Sequence, residues 1–393
     1  MAIIYIITPE YPPQIGGVSD YTYQVANGLA EAGDDVHVWC PRMRSQEAGG
    51  RSKEPEQTSR SERVVVHREL GRIWPSDLRR VGKMLDSFPQ PRRLLVQWVP
   101  HGFGLRAMNI PFCLWLCSRA RKGDVVEIMA HECYLPFKRW AIKQNIAAIA
   151  QRSMTIILLR AARRVWVSIP AWETRFRSLT FGRRLSFKWL PVPSNIPVIN
   201  EPQAIATLRA RYGVNGETVL GHFGTYNPHD RRVLRAVLSE ILEKNDGQKI
   251  LLMGRGSDSM RDEFVRDEPL WKDSIYGSGE LDSRTLSLHL SACDVMLQPC
   301  QDGVSGRRTT VMAALAHGKP IVTTIGCLTE SIWSESEAVS LAPCEDTKEI
   351  GAAVKGLLSD RKQREHLRVA AHNLYNERFD IDLVITALRT HPQ

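Results

Sequence analysis

Short apolar, strand-like runs alternate with helix-like patterns along almost the whole chain, and this alternation restricts the fold more than any other feature. The runs of the first half are residues 3–7, 36–40, 64–67, 94–99, 125–129 and 165–169. Those of the second half are residues 219–223, 250–253, 295–298, 321–324 and 339–341. Such alternation predicts parallel sheets, because parallel strands need helical crossover connections. At 393 residues the chain is too long for one ordinary core, so we expect two α/β domains.

Prolines mark the predicted boundary between these domains. The stretch LPVPSNIPVINEP at 190–202 cannot continue a helix. We therefore predict an N-terminal domain over 1–195, a C-terminal domain over 196–380, and a final helix at 381–393 that could pack back on the N-terminal domain. Residues 43–63 are polar and indicate a mobile loop. Ligands of such sheets bind beyond the carboxyl ends of the strands, and the cleft between two domains is the expected site.

Positive charge is concentrated in one segment. The formal net charge is +9, which favours an anionic partner. Residues 152–191 carry nine Arg or Lys and one Glu, with Trp166, Trp172 and Trp189 between them. An anionic membrane surface or acceptor would suit this mixture, and a plain solvated basic face is the alternative. Because no helix-turn-helix, zinc or RNA-recognition motif accompanies the charge, we expect no nucleic-acid partner.

The remaining bulk features indicate a cytoplasmic protein. No uncharged apolar run of 18 residues is present, and no signal-peptide pattern precedes the first strand. The 8 cysteines are scattered without a C-x-x-C pair, which is typical of a reducing compartment. We expect a cytoplasmic location. The basic segment 152–191 would also allow a peripheral position on the inner face of the membrane.

A glycine pair follows the first predicted strand. The loop PEYPPQIGGVSD places Gly16 and Gly17 just before a helix for which Ser19 is the expected N-cap. A helix N-terminus attracts anions, and glycines let a ligand approach the backbone closely. The alternative is that the pair only makes a tight turn. The pattern is not a dinucleotide fingerprint, because it lacks G-x-G-x-x-G.

The stretch CDVMLQPCQDGVSGRRTTVMAALAHGKPIVTT at 293–324 predicts a strand, a polar loop, a helix and another strand. The residues expected at the start of that helix are Ser305, Gly306, Arg307, Arg308 and Thr309. Backbone N–H groups, two guanidinium groups and hydroxyls at the carboxyl end of a strand would form a phosphate cradle.

The chain resembles the retaining glycosyltransferases of family four, which have the GT-B fold. The resemblance rests on five stretches in order: ITPEYPPQIGGVSDYTYQVANGLAEAGDDVHVW, ILLMGRGSD, YGSGELDSRTLSLHLSACDVMLQP, AALAHGKPIVTT and EAVSLAPCEDTKEIGAAVKGLLSDRKQREHL. It implies two Rossmann-like parallel-sheet domains facing a central cleft. It also implies that Gly16 and Gly17 lie beside the diphosphate of a nucleotide-sugar donor.

The chain departs from the family at several site positions. Ser305 and Ala313 stand where the family has two glutamates that contact the donor sugar and ribose. Thr225 and Arg231 stand at the family's Arg and Lys, so the second position keeps a cation. Arg307 or Arg308 could restore the missing charge, and Asp302 could replace one carboxylate.

His131, at the end of a predicted strand, matches a family histidine placed near the donor sugar and acceptor. Glu132 and His101 are weaker candidates. The resemblance implies a metal-independent, retaining transfer from a nucleotide diphosphate sugar to the hydroxyl of a glycan, a glycolipid or a small molecule, without a further cofactor. The only D-x-D motif, Asp380–Asp382, is explained by helix capping.

Two other functions remain open. A non-catalytic nucleotide-sugar-binding or scaffold protein would fit the lost glutamates. A nicotinamide-dependent oxidoreductase is the second, although Ser259 stands where its third fingerprint glycine belongs.

Overall fold

The computed structural model describes residues 1–42, 61–213, 216–243 and 247–390. The chain divides into a first unit, Met1–Pro191 with Ile381–Gln393, and a second unit, Val192–Asp380. The predicted boundary at 195/196 lies four residues from this division. Most of the predicted loop 43–63, and residues 391–393 of the predicted last helix, lie outside the described residues.

The first unit contains a seven-stranded parallel sheet in the order β3-β2-β1-β4-β5-β6-β7. Its elements are β1 Ile3–Ile7, α1 Gly17–Glu31, β2 Asp35–Trp39, β3 Val64–His67, α2 Pro75–Asp86, β4 Arg93–Trp98, α3 Ile110–Arg121, β5 Val125–Ala130, α4 Ile142–Ala161, β6 Arg164–Val167, α5 Pro170–Arg177 and β7 Ser186–Trp189. The central strands are apolar runs because both faces of a parallel sheet are covered by helices.

One ion pair crosses the middle of this sheet. The Arg93 guanidinium donates two hydrogen bonds of 3.0 Å to the Glu127 carboxylate, which also accepts from Trp166 Nε1 at 2.7 Å. All three residues are buried. A buried charge needs such pairing, so these contacts fix the relative register of β4, β5 and β6.

The second unit contains a six-stranded parallel sheet in the order β10-β9-β8-β11-β12-β13. Its elements are α6 Pro202–Tyr212, β8 Thr218–Phe223, α7 Pro228–Leu242, β9 Gln248–Met253, α8 Ser257–Asp267, β10 Ile275–Gly277, α9 Ser283–Ala292, β11 Val295–Gln298, α10 Thr309–Ala316, β12 Ile321–Ile325, α11 Ile332–Glu335, β13 Ser340–Pro343, α12 Thr347–Ser359 and α13 Arg361–Arg378. Its core lies between β8, β9 and β11 and the apolar sides of α7 and α12.

The predicted fold class, two Rossmann-like parallel-sheet domains, is confirmed. Strands β7 and β10 were not among the predicted runs. Both are edge strands: β10 has three residues, and β7 alternates exposed with half-buried positions. Edge strands of this kind lack the continuous apolar run that identifies a central strand.

That segment 152–191 faces an anionic acceptor or membrane surface stays a prediction, but two of its tryptophans, Trp166 and Trp172, are buried and take no part in such a surface. Trp166 is buried in β6, and Trp172 is buried with its Nε1 donating to the carbonyl of His131. Trp189 Nε1 likewise donates to the carbonyl of Ser168 at 3.1 Å. Arg183 donates to the carbonyls of Leu159 and Ala162. These tryptophans and Arg183 therefore hold the interior and edge of the first sheet together, while most of the other basic side chains of the segment are exposed.

A last helix, α14 (Ile381–Arg389), belongs to the first unit and packs on α1. A Cβ built on Gly28 of α1 would lie 2.8 Å from the Ile385 side chain, so the glycine allows the two helices to approach closely. Arg389 Nε donates to the Asp34 carboxylate at 2.9 Å. Within the described residues, no helix has both the length and the apolar composition to cross a bilayer.

Candidate functional site

Two histidines and two carboxylates follow neighbouring strands at the carboxyl edge of the first sheet. Glu10 follows β1, His101 follows β4, and His131 and Glu132 follow β5, and these three strands are adjacent. His101 Nδ1 lies 3.4 Å from Glu132 Oε2. Polar groups that converge at this edge of a parallel sheet are typical of a binding site.

His131 is held rigidly at this edge. Its amide donates to the Trp98 carbonyl at 3.0 Å, and its carbonyl accepts from Ser168 Oγ at 3.0 Å. Its Nε2 lies 2.8 Å from Gln97 Oε1, and the Tyr21 ring packs edge-on with a centroid distance of 4.7 Å.

Burial lowers the pKa of His131 to about 3, so the imidazole is neutral at physiological pH. A neutral imidazole whose Nε2–H donates to an amide oxygen keeps its lone pair at Nδ1. It can therefore orient a hydroxyl by accepting a hydrogen bond, but it does not supply a positive charge.

Helix α1 is capped by a carboxylate from the preceding loop. Glu10 Oε1 accepts from the amides of Val18 and Ser19, each at 3.0 Å. The N-cap residue is Gly16, and the prediction of Ser19 as N-cap is wrong. Ser19 lies inside the helix, where its Oγ donates to the Gln14 carbonyl at 2.6 Å. Burial raises the pKa of Glu10 above its usual range, against the lowering effect of these two backbone hydrogen bonds.

The glycine pair has a structural reason in this arrangement. A Cβ on Gly16 would lie within 2.6 Å of the Glu10 carboxyl carbon, whereas a Cβ on Gly17 would meet no atom within 4 Å. Gly16 is therefore needed where the carboxylate reaches the helix end. Because Glu10 already binds the Val18 and Ser19 amides, those two donors are occupied. The expected closeness of Gly16 and Gly17 to a donor phosphate stays a prediction.

The second candidate region is the loop from β11 to α10. Arg308 is the N-cap of α10 and Thr309 its first residue, so Ser305, Gly306 and Arg307, which were expected at the helix start, lie in the loop before it. Ser305 is fully buried, and its hydroxyl has no hydrogen-bond partner among the described residues. The Ser305 carbonyl accepts from the Arg308 amide at 3.0 Å. The loop thus brings a hydroxyl, a guanidinium and a helix N-terminus together.

Sequence reasoning missed a half-buried carboxylate, Glu330, that supports this loop. Glu330 accepts from the Gly306 amide at 3.0 Å and from Trp333 Nε1 at 2.7 Å. Burial raises its pKa, while these hydrogen bonds and Arg307 act in the opposite direction. Glu330 lies 24 residues from Gly306, and no local pattern connects the two positions. Its contacts indicate that it fixes the backbone just before α10.

Arg308 lies among acidic and imidazole groups. Its guanidinium is 3.9 Å from Asp302 Oδ2. Burial raises the pKa of Asp230 to about 6, although Arg308 acts to lower it. Burial also lowers the pKa of His229, with Asp302 acting in the opposite direction and Arg308 adding to the lowering. The start of α7 and the start of α10 therefore share one electrostatic environment.

Arg231 does not join this group. Its guanidinium pairs with Glu263 of α8 and is half exposed. The neighbouring Arg232 instead lines a shallow cavity of about 370 Å³ together with Asn227, Pro228, His229 and Gln301. The buried His229 Nε2 has no hydrogen-bond partner in the described part of the chain.

No group of three or more His, Cys, Asp or Glu side chains within the described ranges could hold a metal ion. At the start of α10, the Arg308 guanidinium and the helix N-terminus suit an anionic ligand. At the carboxyl edge of the first sheet, the polar side chains suit a ligand that carries hydroxyl groups.

Two family models match this chain. The model described as "Glycosyltransferase Family 4" matches residues 15–179, and the model described as "Glycosyl transferases group 1" matches residues 217–360. A phosphatidyl-myo-inositol mannosyltransferase from Mycolicibacterium smegmatis is 22% identical over 355 residues, which is 89% of this chain and 83% of that protein.

Among solved structures, HepE of Anabaena in complex with UDP and glucose is 15% identical with a TM-score of 0.71, and the match covers 99% of this chain and 98% of that one. A sucrose-phosphate synthase from Thermosynechococcus elongatus is 15% identical with a TM-score of 0.72, covering 98% and 97%.

Proposed function

This chain belongs to the GT-B glycosyltransferases of the family 4 type, and from that premise we propose a metal-independent, retaining transfer of a hexose. The donor is a nucleoside diphosphate sugar, and the acceptor is a hydroxyl on a glycan, a glycolipid or a small molecule. The relatives support a hexose: one is a mannosyltransferase by name, and HepE was crystallised with UDP-glucose.

The start of α10 is the observation that carries this proposal. The diphosphate would lie at Ser305, Gly306, Arg307, Arg308 and Thr309. Ser305 offers an unpartnered buried hydroxyl, and Arg308 Nε is buried without a hydrogen-bond partner in the described residues. Helix N-termini and guanidinium groups are the two donors best suited to phosphate oxygens. Arg231 would contribute only by leaving Glu263, so we propose Arg308 as the main cation.

The residues divide the chemistry between them. The leaving phosphate would take the proton of the acceptor hydroxyl on the face that this hydroxyl attacks. The bond from the anomeric carbon to the phosphate oxygen breaks as the new glycosidic bond forms, so the configuration is retained. The neutral His131 would orient a sugar hydroxyl through a hydrogen bond. This reaction needs no carboxylate nucleophile. It is therefore compatible with Ser305 and Ala313 at the positions where the family has glutamates.

Donor binding provides the test. A nucleotide-sugar panel is screened by thermal shift, and the dissociation constant is then measured by calorimetry for Arg308→Ala. Loss of a hydrogen bond to a charged group costs about 1–3 kcal/mol, so we expect binding about 5–150-fold weaker. Arg255→Ala is the control, because Arg255 forms an exposed ion pair with Glu280 in the same unit. Equal affinities for the two variants would contradict the placement.

Product analysis tests the mechanism. The anomeric configuration of the product is read by NMR, and an inverted linkage would exclude retention. Protein treated with EDTA is expected to keep its transfer rate. Activity that is lost to EDTA and restored by Mg²⁺ or Mn²⁺ would exclude the metal-independent reaction.

The missing glutamates favour a second candidate function, a non-catalytic protein that binds a nucleotide sugar. Ser305 and Ala313 carry no carboxylate, so neither position offers a donor sugar or ribose the acceptor oxygens of the family's glutamates. Transfer or hydrolysis of the donor above background would exclude this candidate. Donor binding without turnover against every acceptor class would favour it.

A further inference from the structure

The first unit exposes a group of large apolar side chains just after β5. We call these residues the apolar ridge: Leu135, Phe137, Trp140, Ile142, Ile146 and Ile149. Trp140 is 85% exposed and Ile142 is 74% exposed. Single exposed apolar residues are ordinary, but six within fifteen consecutive positions form a patch that needs an explanation.

The ridge continues along the first turns of α4. Ile142, Ile146 and Ile149 lie at spacings of four and three, so they share one face of the helix. The other side of α4 buries Met154 and Leu158 in the first unit. A surface helix normally places polar residues on its outer face. Here both faces are apolar, which indicates that the outer face has a second environment.

Positive charges border the ridge. Lys138, Arg139 and Lys143 are all exposed, and the Arg139 guanidinium lies 5.2 Å from the centroid of the Trp140 ring. No acidic residue occurs between Glu132 and Glu173. Two copies of this surface would repel each other through their like charges, so a symmetric dimer through the ridge is disfavoured.

We propose that the apolar ridge and its basic border dock on an anionic membrane surface. Trp140, Phe137 and the isoleucines would enter the boundary between headgroups and acyl chains, while Lys138, Arg139 and Lys143 contact anionic headgroups. An aromatic side chain beside a guanidinium suits this layer, because one part is apolar and the other stays hydrated. This surface differs from segment 152–191, whose Trp166 and Trp172 are buried.

The ridge also begins close in sequence to His131, the residue that the proposed function assigns to orienting a sugar hydroxyl. Its first residue, Leu135, follows His131 by four positions at the carboxyl edge of the first sheet. Docking would bring this edge to the lipid surface and favour an acceptor hydroxyl carried by a membrane lipid. This link to the acceptor rests on the proposed function, whereas membrane docking itself does not.

Vesicle flotation of the full chain tests membrane docking separately from the proposed transfer reaction. Vesicles of phosphatidylcholine with phosphatidylglycerol are compared with phosphatidylcholine alone, at low and high salt. We expect binding to the anionic vesicles that weakens at high salt, since the Debye length falls from about 10 Å at 0.1 M to about 3 Å at 1 M. Failure of docking would leave donor binding and transfer to soluble acceptors unchanged, and failure of the proposed function would leave vesicle binding unchanged.

Variants identify the surface. Trp140→Asp and Ile146→Asp should each lower the partition coefficient about tenfold or more, the factor for withdrawing one large apolar side chain. Leu270→Asp is the matched control, because Leu270 is 92% exposed in the second unit. The unchanged chain and every variant are first compared by thermal unfolding. Tryptophan quenching by lipids brominated on their acyl chains should fall in Trp140→Phe.

Several outcomes would overturn the proposal. The unchanged chain could fail to bind vesicles, or it could bind both lipid types equally. Trp140→Asp and Ile146→Asp could bind vesicles as strongly as the unchanged chain. Quenching could be the same in Trp140→Phe as in the unchanged chain. Self-association of the chain that Trp140→Asp removes, without any effect on vesicle binding, would assign the ridge to a second copy instead.

Discussion

Replacing Gly16 by alanine should release the cap of α1. The backbone at Gly16 is extended, with φ 177° and ψ 153°, so alanine meets no conformational strain there. The added Cβ would instead lie within 2.6 Å of the Glu10 carboxyl carbon. Because this carboxyl group ends a flexible side chain, it can rotate away, but it then loses both hydrogen bonds to the Val18 and Ser19 amides.

The cost follows from those two bonds. Loss of a helix cap destabilises a helix by about 0.5–2 kcal/mol, and hydrogen bonds to charged groups lie at the upper end of the usual range. A displaced carboxylate regains water, which offsets part of the loss, because burial raises the pKa of Glu10 in the folded protein. We therefore expect about 1–2 kcal/mol, which corresponds to amide exchange about 5–30-fold faster in the first turns of α1.

Native-state hydrogen exchange measures this opening locally, so it does not require the whole chain to unfold in one step. Gly17→Ala is the control, since its Cβ meets nothing within 4 Å. In a Glu10→Ala background, the further change Gly16→Ala should cost almost nothing. Equal exchange in Gly16→Ala and Gly17→Ala, or a cost that persists without Glu10, would refute the reasoning.

Three further predictions concern ionisable groups. In the folded protein His131 stays neutral down to about pH 3, whereas in the unfolded chain its imidazole takes up a proton near pH 6.5. The free energy of unfolding should therefore fall by about 1.4 kcal/mol per pH unit as the pH drops between these two values. In urea titrations at several pH values, His131→Asn should show a smaller decrease. Asp230 loses its proton near pH 6, and the carboxylate then competes with the donor's diphosphate for Arg308. Donor affinity measured by calorimetry should therefore fall as the pH rises from about 5 to about 7, roughly the span of that titration. Asp230→Asn should remove this pH dependence. Glu127→Ala leaves Arg93 buried without its partner, which should cost about 3–5 kcal/mol in chemical denaturation; a cost below about 1 kcal/mol would contradict the role of that pair.

Central strands and the start of α10 were predictable because their signals are local. Each central strand is a short apolar run, and Arg308 and Thr309 fall where a polar loop meets an apolar helix. Strand β10 was missed because three residues at a sheet edge carry no periodic pattern.

The supporting carboxylates could not be predicted by the same means. Glu330 contacts Gly306 from 24 positions away in the sequence, and Glu10 contacts Val18 from eight positions away, across an irregular loop. Such contacts depend on where the backbone brings distant side chains, and spacing along the sequence does not encode that. Ser19 illustrates the limit, since its residue type suits an N-cap while Glu10 takes that role.

The place of α14 has a consequence for how the protein can be divided. The first unit is discontinuous: the whole second unit is inserted between β7 and α14, and the chain crosses from one to the other at 191/192 and again at 380/381. A fragment that ends at 191 would leave α1 without Ile385 and Asp34 without Arg389. A stable isolated first unit should therefore require α14 to be rejoined through an artificial linker.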